Sequence, residues 1–243
     1  MRDLPFEVFS YSSEDDLPEQ VASIRSFLKF AGRPLRFTVV SDGTHSVRSL
    51  ALLEAIDPVV STRPSSAELP RELPTAARAY LTSHPTGKQL ALIMSLPEGN
   101  PTLYVDADVL FFPGAHELSL LVPQSKAAAL YLEDCQLSAD ERLFRKESEK
   151  ERPVNTGVLF LFKPLDWSLG LARLEELSGP PNFFTNQTLT HLTIHESSAA
   201  PFDPQKYVLQ LDDQFVFCDR YASQEIVLRH YVNPVRHKFW ANL

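Results

Sequence analysis

Apolar and polar positions switch between a short, strand-like period and a helical one through the first part of the chain. Phe6-Glu7-Val8-Phe9-Ser10-Tyr11 predicts a strand, and Ser12 to Asp16 follows as a polar, acidic turn with helix-capping character. Val21, Ile24, Phe27, Leu28 and Ala31 then recur at helical spacing, with Pro18 near the start and Gly32 just past the end. Leu35 to Val40 predicts a second strand that runs into Ser41-Asp42-Gly43. A strand–helix–strand unit of this kind pairs in parallel through a right-handed crossover. Val47 to Ile56 predicts a second helix and Val59-Val60 a short third strand. Residues 61–74, with Pro64, Pro70 and Pro74, read as a loop, and 75–82 and 87–96 as two helices interrupted by His84-Pro85.

The next run, Leu103 to Phe112, is apolar except for Asp106 and Asp108. It reads as one buried strand, in which two unpaired carboxylates would be strongly penalised. Residues two apart on an extended chain share a side, so these two carboxylates converge on one point, and a hard divalent cation with oxygen ligands would compensate them. The plainer alternative is a strand end whose aspartates cap a turn. Lys126 to Tyr131 predicts a further strand ending at Glu133-Asp134. Residues 138–152, dense in both charge signs, read as a mobile or weakly helical excursion, either a lid or a solvated surface segment. Val158 to Phe162 predicts a strand after Val154-Asn155-Thr156-Gly157, residues 165–177 and 184–194 predict helices, and 207–217 reads as mostly extended.

Composition narrows the classes. The chain has 243 residues, 44% of them hydrophobic and 22% charged, which suits a soluble globular protein, and its net charge of -8 argues against a nucleic-acid binder with a general basic surface. Cys135 and Cys218 form no metal-type spacing and read as reduced, buried thiols of a cytoplasmic protein. No run of about 18 apolar residues predicts a spanning helix, and the first residues lack the apolar region of a signal peptide. The expected location is the cytoplasm, with peripheral attachment to the inner face of a membrane left open. The opening strand–helix–strand commonly supports nucleotide binding beyond the carboxyl ends of the strands. There is neither a Gly-x-Gly-x-x-Gly nor a P-loop.

Taken in order, several features resemble a known family. Ser41-Asp42 follows the second strand, Lys88 lies ahead of Asp106, and Asp106-Ala107-Asp108 sits in the apolar run. Asn155-Thr156-Gly157 opens a later strand, Asn186-Gln187 starts a helix, and His230 precedes Arg236-His237-Lys238-Phe239-Trp240. This order is similar to that of the GT-A-fold glycosyltransferases, most of all the family-8 type that includes bacterial galactosyl- and glucosyltransferases and glycogenin. It covers nearly the whole chain. The resemblance implies an α/β fold: a single GT-A-like domain over residues 1–243, with a mainly parallel, Rossmann-like central sheet flanked by helices. It implies a metal-dependent transfer of a hexose, with retention, from a nucleotide-diphosphate sugar such as a UDP-sugar to an acceptor glycan, lipid or protein.

Position by position, the resemblance makes Asp106 and Asp108, with Ala107 between them, the metal and donor-diphosphate anchor, completed by His230. Lys88 stands where a basic residue near the donor is usual. Glu133 or Asp134 would contact the donor sugar, and Asn155 and Gly157 would lie near it. Asn186-Gln187 stands where Asp-Gln is usual, beside the reacting carbon, so Asp134, Asn186 and Gln187 are the catalytic candidates. Arg236 falls where a lysine on the diphosphate is common. Asn186 and Asn233, in place of the usual aspartate and glycine, depart from the pattern.

Chemistry supports the same assignment. Expelling a nucleoside diphosphate builds negative charge, which a divalent cation neutralises. Two carboxylates suit Mg²⁺, and an added histidine shifts the preference to Mn²⁺. Arg236 and Lys238 would stabilise the same leaving group. Ser10, Tyr11 and Asp42, at the ends of the first two strands, are placed to hold base and ribose. Asp134, Asp203, Asp212 and Asp213 are candidate bases for an inverting reaction by residue type. Each residue also has a plainer role: Asn155 as a turn cap, Asn186 as a helix N-cap, Lys88, Arg236 and Lys238 as solvated charges, Phe239 and Trp240 as a hydrophobic plug. Two other functions use the same materials, a sugar nucleotidyltransferase and a non-catalytic nucleotide-sugar-binding module. The acidic, glycine-free Ser10 to Asp16 turn speaks against the first.

Overall fold

The computed structural model describes residues 2–65, 69, 73, 75–124 and 126–243. In chain order its elements are β1 (Glu7–Ser12), α1 (Leu17–Phe30), β2 (Phe37–Ser41), α2 (Val47–Glu54), β3 (Val60–Pro64), α3 (Thr75–Ser83), α4 (Pro85–Met94), β4 (Thr102–Val105) and β5 (Val109–Phe111). After these come α5 (Leu118–Gln124), β6 (Ala129–Glu133), β7 (Val154–Leu161), α6 (Ser168–Glu175), α7 (Thr185–Glu196), β8 (Ala199–Pro201), β9 (Tyr207–Val208) and β10 (Leu228–His230).

Seven strands form the large sheet, in the order β3-β2-β1-β4-β7-β6-β8. The four strands β3, β2, β1 and β4 are parallel, β7 runs antiparallel to both β4 and β6, and β8 is parallel to β6. This is the mixed α/β, mainly parallel sheet expected from the early strand–helix–strand pattern. Helix α1 buries Ile24, Phe27 and Leu28 beneath β1 and β2, where Phe27 meets Phe37 and Phe111 edge to face. On the other face, α3, α4 and α7 pack Tyr80, Leu90, Ile93 and Leu189 against Phe9, Tyr104 and Leu159. The strand order reverses between β1 and β4. Crevices for ligands open beyond the carboxyl ends of strands at such a point.

The structure corrects the sequence reading in several places. Leu103 to Phe112 is not one strand. β4 stays in the large sheet, while β5 leaves for a second sheet of order β5-β10-β9. Asp106-Ala107-Asp108 is the turn between them, stitched to both sheets by Asp106 N–H to the Gly157 carbonyl (2.8 Å) and Tyr231 N–H to the Asp108 carbonyl (2.9 Å). The carboxylates converge because the chain turns there, not because a strand alternates. Residues 207–217 are extended only at β9; turns follow, held from below by buried Arg229 and Lys238. The proposed 61–74 loop begins later than expected, since β3 runs through Pro64; Pro70 and Pro74 lie outside the described residues. Both cysteines are exposed rather than buried; partial desolvation of the sulfur, with neighbouring Asp134 adding to it, pushes the Cys135 thiol up to about 11.

Residues 138–152 are fastened down. Leu143 and Phe144 enter the core, two 3₁₀ turns (Glu141–Leu143 and Glu147–Lys150) shape the backbone, and Arg173 and Arg145 pair with Glu149 and Glu176 at 2.9 Å each. Phe239 is a buried plug, as expected, but Trp240 is half exposed. No helix among the described residues is long and apolar enough to cross a membrane.

Candidate metal and donor site

Asp106 leaves the end of β4, Asp108 precedes β5 and His230 ends β10, so three elements from two sheets deliver one group. One ligand atom from each lies within 4.8 Å of the others, and among the described residues this is the one cluster of three such side chains. His230 Nε2 stands 3.0 Å from Asp108 Oδ1 and 3.8 Å from Asp106 Oδ2. Gly157 makes room for them: a Cβ there would meet the His230 ring and approach Asp106 Oδ2 to 2.8 Å.

Two backbone N–H groups fix the proton map. Gly157 N–H donates to Asn155 Oδ1 (2.9 Å), which therefore must be oxygen, and His230 Nδ1, 3.0 Å from the same atom, must carry a proton to donate to it. That leaves Nε2 as the nitrogen facing the carboxylates, hydrogen-bonded to Asp108 Oδ1 (3.0 Å); a cation would take the place of the proton in that bond, with the other nitrogen held as metal-bound histidines usually are. Gln187 N–H likewise donates to Asn186 Oδ1 (2.8 Å), so Asn186 Nδ2 donates to Gln89 Oε1 and Gln89 Nε2 donates to Asp106 Oδ1, both 2.8 Å. Tyr104 O–H donates to Asp106 Oδ1 as well (2.8 Å), which directs Asp106 Oδ2 toward His230.

The charges fit a cation. Burial, with the Asp108 charge, pushes the Asp106 carboxyl up to about 6 against the opposing pull of His230. Burial works to raise Asp108 too, but His230 and Arg236 outweigh it and hold Asp108 below its ordinary value. Burial opposes protonation of His230, and the three carboxylates Asp108, Asp106 and Asp134 overcome it. The cluster thus holds a proton where a divalent ion would supply the same compensation. Two carboxylate oxygens and an imidazole nitrogen on a preformed cradle are a donor set that fits Mn²⁺, and Mg²⁺ less well.

The triad floors a cleft of about 350 Å³ that also exposes Asp134, Asn155, Asn186, Gln187 and Arg236. Asp134 Oδ2 accepts from Gln187 Nε2 (3.0 Å) and Asn155 Nδ2 (3.4 Å), and its Oδ1 accepts from Gln136 N–H (3.1 Å). Glu133 points elsewhere, toward Arg152 (3.6 Å). Arg236 is the one Lys or Arg lining this cleft among the described residues. It reaches Asp16 Oδ1 (3.1 Å), Glu19 Oε1 (3.7 Å) and Asp108 Oδ2 (4.0 Å). A second cleft of about 560 Å³, beyond the ends of β1 and β2, is lined by Tyr11, Asp42 and the acidic turn at Glu14 to Asp16. Tyr11 has a buried hydroxyl with no partner among the described residues, and burial together with Asp42 raises it above the ordinary tyrosine range.

Five of the predicted donor contacts line neither cleft, among them Ala107, which is buried, and Gly157, which packs against the triad from within β7. Ser10 is buried and donates to Gln20 Oε1 (2.7 Å) inside α1. Lys88 lines neither cleft; its neighbour Gln89, about 100° further round α4, faces the site instead. Lys238 is 2% exposed and donates to the Val216 and Cys218 carbonyls beside Asp213, so it holds a loop rather than a phosphate. Asp203, Asp212 and Asp213 also lie outside the cleft. Sequence reasoning missed Gln89, Tyr104, Phe183 and Phe184. Tyr104 had a signal, since it sits two residues before Asp106 on the same apolar run.

No protein-family model and no curated protein matches the chain. Solved structures do. A galactosyltransferase LgtC bound to donor and acceptor sugar analogues superposes with a TM-score of 0.62 at 14% identity, over 97% of this chain and 94% of that one. The fold is that of the GT-A glycosyltransferases. Mouse xyloside xylosyltransferase 1 is similar at TM-score 0.62 and 12% identity, over 96% of this chain and 99% of that one. The GlyE glycosyltransferase of Streptococcus pneumoniae TIGR4 is similar at 0.61 and 12%, over 99% of this chain and 60% of that one.

Proposed function

We propose that residues 1–243 act as one glycosyltransferase domain, transferring a hexose from a nucleotide-diphosphate sugar to a glycan, lipid or protein acceptor. The observation that carries this reading is the Asp106–Asp108–His230 group at the switch point of a GT-A fold, with His230 Nε2 turned toward the two carboxylates by Asn155. A divalent ion bound there supplies charge compensation for the departing diphosphate. The chain's own residues do the rest. Arg236, beside Asp108, adds positive charge to the diphosphate side. Tyr11 and Asp42 border the cleft suited to base and ribose, with a UDP-sugar as first candidate donor. Asn155 orients His230, and Gly157 leaves the space in which the donor set closes. Gln187 lines the cleft with its carboxamide fixed, both amide protons being taken by Asp134 and the Ser138 carbonyl.

Retention of anomeric configuration is the favoured outcome. An inverting reaction needs a carboxylate base, and Asp134, the one of the four candidates in the cleft, already accepts three hydrogen bonds. The alternative with an observation behind it is a non-catalytic nucleotide-sugar-binding module, since Asn186 spends its carboxamide on Gln187 and Gln89 rather than on a ligand. Thermal unfolding with Mn²⁺ and UDP tests the main reading. At a ligand concentration about 100 times Kd the stabilisation should be about 2.7 kcal/mol, and the double change Asp106→Ala and Asp108→Ala should remove it. Absence of any shift across the common nucleoside diphosphates would sink the proposal. Binding of nucleotide sugars without release of nucleoside diphosphate would favour the module.

A further inference from the structure

Asp140 and Arg142 lie in the charged 138–152 stretch and do not line the cleft. Yet Asp140 is 1% exposed and is gripped in a two-bond fork, Arg142 Nε to Oδ1 and Nη2 to Oδ2, both at 2.7 Å. A buried carboxylate held this way is fixed in orientation as well as in place. Its surroundings all belong to the approach to α7. Thr185 Oγ1, at the first residue of that helix, donates to Asp140 Oδ2 (2.8 Å), and Asp140 N–H donates to Thr188 Oγ1 (2.7 Å). Arg142 uses two further donors on the carbonyls of Ser178 (2.9 Å) and Pro180 (3.0 Å), in the segment leading into α7.

Two residues before Asp140, the Ser138 carbonyl accepts from Gln187 Nε2 at 2.8 Å, and Asp134 accepts the other amide proton at 3.0 Å. With both amide protons on oxygen acceptors, turning the amide over would set oxygen against oxygen, so the carboxamide of this cleft-lining residue holds one orientation. A glutamine has three soft side-chain torsions and holds one orientation only when its surroundings impose it. The register between the Ser138 carbonyl and the start of α7 is what the Asp140–Arg142 pair sets.

We propose that Asp140 and Arg142 are positioning residues for Gln187: the pair, Asp140 buried and Arg142 at the surface, clasps the 134–142 segment to the first turn of α7 and thereby fixes the Gln187 carboxamide at the reaction centre. The proposal rests on the reading of Gln187 as the group beside the reacting carbon. Displacements of about 1 Å at a reacting centre cost on the order of 100-fold in rate, so releasing the clasp should tell on turnover more than on binding.

The test compares Arg142→Met and the milder Thr185→Val, which removes one hydroxyl, the donor to Asp140 and the acceptor of Asn182 N–H (2.8 Å), and leaves the ion pair in place. Three quantities are read: the Gln187 side-chain amide resonances by NMR, hydrolysis of a UDP-hexose, and the thermal shift with Mn²⁺ and UDP. The expected result is loss of hydrogen-exchange protection at the Gln187 amide in both variants. The rate constant kcat should fall about 10- to 100-fold, more in Arg142→Met, with KM for the donor within about two-fold and the Mn²⁺/UDP shift unchanged. Unchanged Gln187 amide resonances in both variants would overturn the proposal. So would a loss of turnover matched by an equal loss of donor binding. Loss of amide protection in a protein that cleaves no nucleotide sugar would uphold the clasp and overturn the reading of Gln187 instead.

Discussion

Replacing Gly157 by alanine isolates the space the donor set needs. The residue lies inside β7 with no left-handed backbone, so the substitution adds a methyl group and little else. That methyl would stand 2.8 Å from Asp106 Oδ2 and press on the His230 ring, whereas ordinary contact begins near 3.4 Å. Asp106 must therefore retreat by about half an ångström and His230 by more, at an overpacking cost of about 1–3 kcal/mol in the metal-free protein. A donor set spread this far should lose roughly 100-fold in affinity for Mn²⁺ with UDP, as much as disturbing a metal site's supporting residues typically costs. With ligand at about 100 times the wild-type Kd, wild-type stabilisation of about 2.7 kcal/mol falls to about 0.4 kcal/mol, since ligand then only equals Kd. For a chain of this size each kcal/mol moves Tm by about 2–4 °C, so a shift of about 5–11 °C shrinks to about 1–2 °C. Differential scanning fluorimetry of both proteins, each referred to its own metal-free Tm, measures this directly. A variant that keeps the wild-type shift would refute the argument that Gly157 is there to let Asp106 and His230 close on one ion.

Other consequences are open to equally direct measurement. Asn155→Leu removes the acceptor that holds His230 Nδ1 and leaves Gly157 N–H unpaired; Mn²⁺ affinity by isothermal titration should fall about 10- to 100-fold. Arg229, fully buried against Asp213 and Asp219, is the pillar of the 209–225 turns, and Arg229→Met should cost about 3–5 kcal/mol in urea unfolding because two carboxylates lose their partner, so a loss under about 1 kcal/mol contradicts this account. His191 is held neutral, accepting from Val154 N–H and facing the Glu149 carbonyl; burial, with His195 adding to it, lowers it from 6.5 to about 4. Between those values the unfolded chain binds a proton that the native state refuses, so stability falls as pH drops through that window, by about 2–3 kcal/mol, and His191→Gln should flatten the slope.

What could be read in the sequence and what could not divide along physical lines. The parallel half of the large sheet was visible because period-2 and helical spacing alternate cleanly from Phe6 to Val60. The order Asp106-x-Asp108, Asn155-x-Gly157, Asn186-Gln187, His230 survived into one cleft. Strand β10 was not visible: it is three residues long and carries Arg229 and His230, side chains that are buried only because distant partners meet them. Lys88 and Gln89 are adjacent in sequence but look to different sides of α4, a distinction no charge pattern resolves. Lys238 read as a phosphate contact because its charge was known and its burial was not. The charged 138–152 stretch looked loose for the same reason, since its charges are spent on one another and on α6.

The second sheet is small, yet it supplies Asp108 and His230, while the large sheet supplies Asp106. Neither sheet on its own carries a complete set. An ion held there is a rivet through two plates, and the free energy that fastens it is the same free energy that keeps the plates in register. Under the proposed function the donor anchor would therefore also be an architectural joint: a movement that admits or frees a nucleotide sugar by shifting β5 and β10 against β4 would loosen the joint, and a change that slackens the joint would be felt as weaker donor binding even when every ligand is intact.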